Sequence, residues 1–226
     1  SLPVAGLAAV ALLPVVAGLA GLAGTPAAAF GAVLAAPGAR VALAYSLVTG
    51  TVATALALVL AHVLVAAAAT RGWLGRLRGA TLPLLAVPHL ALGTGLVLLL
   101  APSGVLLRLL SPWATGLDRP PDWATVQDPY GLALVLGLVI KETAFLLLAM
   151  AATLPQVPVA PLLRTTAALG YGRWQGWCVA VAPLVARQQR LPLAAVYGYA
   201  LTNVELALPL GPTTPPTFAL LVWQWF

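Results

Sequence analysis

Polar positions are sparse along this chain, and long uncharged apolar runs alternate with short stretches that hold arginine, proline and glycine. A hydrocarbon core of about 30 Å takes about 20 apolar residues per helix. By that measure five runs qualify, at 4–24, 42–68, 81–101, 130–152 and 191–211. Each is predicted to be helical, because a segment in lipid must satisfy its own backbone hydrogen bonds. The runs are also too long and too evenly apolar for the alternating strands of a barrel. The expected fold class is therefore all-α, a polytopic transmembrane helix bundle, with residues 1–226 forming one membrane domain. The first run has a competing reading as a cleavable secretory signal, since "AGLAGTPAAAF" offers small residues. Against it stand the length of the run and the lack of a basic stretch before it. The chain opens at Ser1 without Met, which leads us to expect a missing or processed start.

Composition agrees with lipid as the solvent. Hydrophobic residues make up 62% of the 226 and charged residues 7%, against about a quarter charged in an average soluble domain. The eleven basic residues set the expected orientation. Arg71, Arg76 and Arg78 follow the second run, and Arg164, Arg173, Arg187 and Arg190 follow the fourth, with no acid among them. The other connections hold Arg40, and then Arg108 and Arg119 set against Asp118, Asp122 and Asp128. Loops 69–80 and 153–190 are thus expected in the cytoplasm. On the opposite side, Trp113, Trp123 and Tyr130 suit the headgroup belt, with direct ligand stacking as the alternative. The formal charge of +6 serves topology, and no basic helix, aromatic platform or zinc spacing points to nucleic acid.

Several chemistries are missing. Cys178 is the single cysteine, so no internal disulfide can form, and it is expected to be a small buried packing residue. His62 and His89 lie in different apolar runs without acids at ligand spacing, and are expected to be packed or bonded to backbone; no metal or other cofactor is expected. A nucleotide-binding loop needs glycines ending in Lys and Ser or Thr, yet the one lysine, Lys141, sits inside "VLGLVIKETAFLLLAM". Any ATP hydrolysis belongs to another chain. No nucleophile, histidine and acid arrangement stands out, so the chain is not expected to be an enzyme.

Lys141 and Glu142 fall near the middle of the fourth run, and Asn203 and Glu205 fall in the fifth. An ionised group at mid-membrane costs about 2.5–3.5 kcal/mol, so these side chains should face protein or water. Adjacent residues point about 100° apart on a helix, so Lys141 and Glu142 do not pair with each other. The expected solution is a clamp in which Lys141 meets Glu205 or Asn203 across two spans, with a proton or ion relay as the alternative.

The stretch "RTTAALGYGRWQGWCVAVAPLV", residues 164–185, concentrates glycine, arginine and tryptophan. Pro161 suits a helix start and Gly170 the left-handed residue past a helix end, with Gly172 keeping the turn loose. A second helix is predicted from Arg173, carrying Trp174, Trp177 and Val181 toward Pro183. The product is a helix, a glycine turn and a helix, either a knob with Ala167, Ala168 and Gly170 at its tip or a loop lying on the headgroups.

This stretch resembles the cytoplasmic EAA loop of binding-protein-dependent ABC importer permeases. Arg164, Thr165 and Thr166 stand at the Glu-Ala-Ala triplet, Gly170 at the glycine, Ala180 at the apolar position, and Ala182 and Pro183 at the Leu-Pro. Arg164 departs from the acidic residue, so a salt bridge made by that glutamate does not carry over. "LGPTTPPTFALLVWQWF" is similar to the segment after the penultimate span of fused or paired permeases.

The resemblance implies an inner-membrane importer subunit whose loop, within 153–190, is a coupling helix for a separate ABC ATPase subunit. Arg164, Thr165, Thr166, Ala167, Ala168, Gly170, Gly172, Arg173 and Pro183 would form that contact. It also implies a second permease half, a periplasmic or lipid-anchored solute-binding protein, and a sixth span beyond this stretch, so that the chain is expected to be a piece of a longer permease. The competing classes are an ion-coupled secondary transporter, with Pro14, Pro88 and Pro209 as span breakers, and an intramembrane enzyme. Nothing in the residues selects a solute.

Overall fold

The computed structural model describes residues 16–225, and among them every regular element is helical. The chain divides into two compact units, Ser1–Arg40 and Val41–Phe226. The described part of the first unit holds α1 (Val16–Gly24) and α2 (Ala27–Ala35). The first predicted run is therefore helical from residue 16, and its residues 4–15 lie outside the described residues.

The remaining helices are α3 (Ala39–Arg71), α4 (Leu74–Ala86), α5 (His89–Leu100), α6 (Val105–Leu110), α7 (Leu132–Thr153), α8 (Val159–Ala168), α9 (Arg173–Gly176), α10 (Ala182–Gln188), α11 (Arg190–Thr202), α12 (Ala207–Leu210) and α13 (Phe218–Trp223). Among the described residues three helical stretches are long and apolar enough to cross a membrane: Ala39–Arg71, His89–Leu110 and Leu132–Gln156. The bent pair α1 and α2 would make a fourth if it counts as one span.

The second predicted run lies inside α3 and the fourth coincides with α7. α3 buries Ala53, Ala57, Ala61, Val65 and Ala68, a stripe at helical spacing, while Val48, Val52, Leu56, Val59, Leu60 and Val63 face outward. Alanines let neighbouring backbones come close, which is the packing available where lipid removes the hydrophobic drive between helices. Glycines do the same for α7 and α5. A Cβ on Gly137 would stand 2.8 Å from Leu210 Cδ1, and one on Gly93 would stand 2.7 Å from Pro209 Cγ.

The other two runs differ from the expectation because each is interrupted. The run at 81–101 divides between α4 and α5. Pro88 has no N–H to continue the ladder, and Val87 before it is extended at φ −65, ψ 126. The run at 191–211 is continuously helical only to Thr202 and resumes as α12 at Ala207. Asn203 leaves the helix at φ −70, ψ 118, and its side-chain oxygen accepts the Leu206 N–H at 2.7 Å, which closes the turn leading into the short α12. This run therefore contains no continuous spanning helix, and the five expected spans reduce accordingly.

α7 passes through two apolar clusters. At one end Leu134, Leu138 and Val139 pack with Leu96, Leu206 and Leu210. At the other, Leu146, Met150 and Leu154 pack with Val65, Trp177, Val181 and Val185. Lys141, Glu142 and Thr143 fall between them, all buried. The start of α7 is held by Asp128, whose carboxylate accepts the N–H groups of Tyr130 at 3.1 Å, Leu132 at 2.9 Å and Ala133 at 3.0 Å. Asp128 is itself buried, so its charge is balanced by the positive end of the helix. Trp113, Trp123 and Tyr130, on the connections flanking this end, are exposed.

Asp128→Ala leaves the first N–H groups of α7 without an acceptor. We expect it to destabilise the folded protein by about 1–2 kcal/mol, with Asp128→Asn intermediate, as read by thermal unfolding in detergent; equal stability of all three forms would remove the cap from the account of α7.

Candidate functional site

Polar side chains gather at two places, the seam in the middle of α7 and the hairpin between residues 153 and 190. At the seam, the Lys141 ammonium donates to the carbonyl oxygens of Leu84 at 3.0 Å, Leu85 at 3.3 Å and Val87 at 2.7 Å. Leu84 would ordinarily accept from residue 88, which is proline, and the last carbonyls of any helix lack intrahelical donors. The ammonium therefore caps α4 from another helix and sits at the negative end of its dipole. All three of its protons are engaged.

The expected clamp of Lys141 on Glu205 or Asn203 is overturned by this geometry. The break at Pro88 offers Lys141 bare carbonyls, and those acceptors win. Glu205 instead lies 3.7 Å from His89 Nδ1, and Asn203 is buried with its side-chain oxygen on the Leu206 N–H. His89, expected to be a packed residue, has both this carboxylate and the Tyr199 ring, at a centroid distance of 4.8 Å and a tilt of 46°. His62 behaves as expected, with Nδ1 at 3.0 Å from the Leu58 carbonyl.

Glu142 points elsewhere, as its 100° offset from Lys141 requires. One carboxylate oxygen lies 3.4 Å from the Thr54 hydroxyl on α3, a long contact, and the other has no partner. The Tyr199 hydroxyl and the Asn203 amide nitrogen are likewise buried without a partner. A cavity of about 310 Å³ opens here, with Lys141, Glu142, His89, Tyr199, Phe145 and Val196 on its walls. Thr54, His89 and Tyr199 were not singled out as site residues from the sequence. A one-dimensional pattern shows charged residues in apolar runs, but not which hydroxyls and rings other helices bring to them.

The hairpin begins where α7 tightens into a 3₁₀ turn, Leu154–Gln156. α8 ends in a Schellman motif, with the Tyr171 N–H bonded to the Thr166 carbonyl and the Gly170 N–H to the Ala167 carbonyl, both at 3.0 Å. Gly170 has φ +86, the left-handed value expected of it. The Gln175 side-chain oxygen then accepts the Gly172 N–H at 3.1 Å and starts α9. A π turn, Trp177–Val181, carries the chain into α10, where Pro183 sits in the first turn.

The two arms touch at Thr166 and Gly176, where an added Cβ would collide with the threonine hydroxyl. Trp177 is 1% exposed and roots the hairpin in the cluster with Val65, Met150 and Val185. Arg164, Thr165, Ala167, Ala168, Gly170, Gly172 and Arg173 are all exposed around the tip, together with Leu169, Tyr171 and Trp174. Thr166 is the exception, buried against the second arm, and Pro183 lies beyond the tip. Cys178, expected to be buried, is exposed. In the π turn its neighbour Trp177 takes the inward position and Cys178 faces out.

No family model matches the chain. The inner membrane ABC transporter permease protein YnjC of Escherichia coli strain K12 is 36% identical to it over 185 residues, which are 81% of this chain and 34% of that protein. The chain thus spans about a third of the length of this relative.

Lys141→Met keeps the length of the stem and strands three carbonyls in an apolar setting, so we expect a loss of roughly 2 kcal/mol or more. Glu205→Gln should leave thermal stability nearly unchanged. If the two variants were equally destabilised in detergent, Lys141 and Glu205 would have to be a pair after all.

Proposed function

Along 81% of its length the chain belongs with the ABC transporter permeases, and we propose that it acts as the permease subunit of an ATP-driven importer. In this reading the helices of its second unit line part of a solute pathway in the inner membrane. A separate ABC ATPase subunit, a second permease half and a periplasmic or lipid-anchored solute-binding protein complete the assembly. Loops 69–80 and 153–190 face the cytoplasm, as the placement of arginine favours.

The observation that carries the reading is the hairpin. Its tip is exposed, with Ala167, Ala168, Gly170 and Gly172 interleaved with Leu169 and Tyr171, its turn is closed by backbone hydrogen bonds, and its base is locked by Trp177 into the core shared by α3 and α7. A protrusion of this kind transmits force. When an ATPase closes around nucleotide, a knob seated in its groove moves as a rigid piece, and Trp177 passes the displacement to the spans. The interruptions at residues 87–88 and 203–206 supply points where the spans can bend without breaking a continuous hydrogen-bond ladder. Arg164 stands where related loops carry an acid, so the groove it meets would present acidic or neutral groups there.

One observation favours a second reading. Interrupted helices around a buried, incompletely bonded carboxylate are also the arrangement of ion-coupled carriers. Transport sustained by an ion gradient with no ATPase present would select that reading over ours.

Copurification from native membranes tests the proposal. Wild-type chain should bring an ATPase subunit with it. Gly170→Val places a β-branched residue at positive φ, and Gly176→Val forces the arms apart at Thr166. Each should lower recovery of the ATPase roughly ten-fold, the equivalent of about 1.4 kcal/mol of docking energy, while Leu191→Ala outside the hairpin should not. Full recovery with both glycine variants, or no ATPase with the wild type, would reject the hairpin as a coupling element.

A further inference from the structure

The outward stripe of α3 formed by Val52, Leu56, Val59 and Val63 continues at helical spacing through Ala67 and Thr70 to Arg71, the last residue of the helix. There it meets Arg173 and Trp174, which open the second arm of the hairpin. Val63, Ala67, Thr70, Arg71, Arg173 and Trp174 line a groove of about 500 Å³, a volume within the range of sites for organic ligands. The helix rises about 12 Å from Val63 to Arg71, so the groove begins on an apolar face and ends among two arginines.

Both arginines are exposed, which puts them within a ligand's reach. No carboxylate of the chain answers them. The five acids are Asp118, Asp122, Asp128, Glu142 and Glu205, and among the described residues the one salt-bridge contact is that of Glu205 with His89. Glu142, on the helix that leads into the hairpin, stands about 16 Å along α7 from Thr153, beyond a Debye length of about 8 Å. The charge of the groove is therefore met only by water or by a group from outside the chain. An apolar track that ends at two unmatched arginines complements a molecule with a hydrocarbon tail and an anionic head. Basic recesses between membrane helices suit phosphate headgroups, and guanidinium forks bind phosphate oxygens two at a time. Trp174, 54% exposed, adds a ring of the kind that settles at headgroup level.

We propose that this groove binds an anionic phospholipid, its phosphodiester held between Arg71 and Arg173 and one acyl chain lying along Val63 and Val59. The bound lipid braces the second arm of the hairpin against α3. The inference rests on the chain spanning a membrane and needs neither an ATPase nor a solute. Lipid binding is measured on the chain alone and ATPase docking by copurification, so either can fail with the other intact.

The test is native mass spectrometry of the full native chain, delipidated in detergent and titrated with phosphatidylglycerol, phosphatidylcholine or inorganic phosphate, reading the first lipid bound. Phosphatidylglycerol should bind tighter than phosphatidylcholine by about five-fold or more, and inorganic phosphate at equal concentration should not displace it. Arg71→Gln and Arg173→Gln, both at exposed positions, should each weaken phosphatidylglycerol about five-fold, and together about 25-fold, the scale expected per basic residue at a membrane surface. Arg119→Gln, outside the groove, should keep the wild-type affinity. Equal affinity for the two lipids, phosphatidylglycerol binding untouched by the double substitution, or its displacement by inorganic phosphate would each overturn the proposal. If the double substitution lowered ATPase recovery while the two lipids bound alike, the arginines would belong to a protein interface instead.

Discussion

A helix that breaks inside a membrane exposes carbonyl groups that lipid cannot solvate. In water such groups would find partners at no cost, but in hydrocarbon each unsatisfied one costs several kcal/mol. The interruption of the third apolar run at Pro88 is therefore possible only because α7 brings Lys141 to the freed carbonyls of Leu84, Leu85 and Val87. The second interruption is solved more locally, by Asn203 bonding the Leu206 N–H. The first joint depends on a neighbouring helix and the second on its own side chain. With Lys141 committed to α4, Glu142 keeps one carboxylate oxygen without a hydrogen-bond partner.

The seam and the hairpin are joined by packing. Trp177 fills a cluster whose members on α7, Leu146 and Met150, begin one turn beyond Glu142. The buried alanines of α3 contribute Ala57 and Ala61 to this cluster and Ala53 to the other, with Thr54 at the seam between them. Interiors this tightly packed have few intermediate arrangements, so a displacement at the hairpin base reaches the seam as a shift of whole helices. In the proposed reading, that shift of whole helices is what coupling would consist of, whatever the solute.

Hydropathy alone makes the helical class, α3 and α7 legible, because apolar length is a local property. The glycine turn was legible for the same reason: Gly170 at positive φ and the closure of α8 depend on nearby residues. The partner of Lys141 was not. Charge complementarity suggested an acid, whereas the acceptors are backbone carbonyls that exist only because a proline some fifty residues earlier disrupts a helix. Asp128 reads from the sequence as a loop charge, yet it stands four residues before Leu132 and accepts that residue's N–H at the start of α7. Cys178 is exposed because Trp177, Val181 and Val185 take the inward face at four-residue spacing and leave position 178 on the outer one.

The stripe of alanine along α3 has a consequence for how the molecule assembles. Ala53, Ala57 and Ala61 are fully buried, yet an alanine side chain has no rotamers to freeze, so covering this face forfeits no side-chain entropy. A surface of methyl groups also presents few knobs that must find matching holes. The longest helix of the chain can therefore meet its neighbours without a search among side-chain conformations, which makes it a suitable early template for the helices that follow.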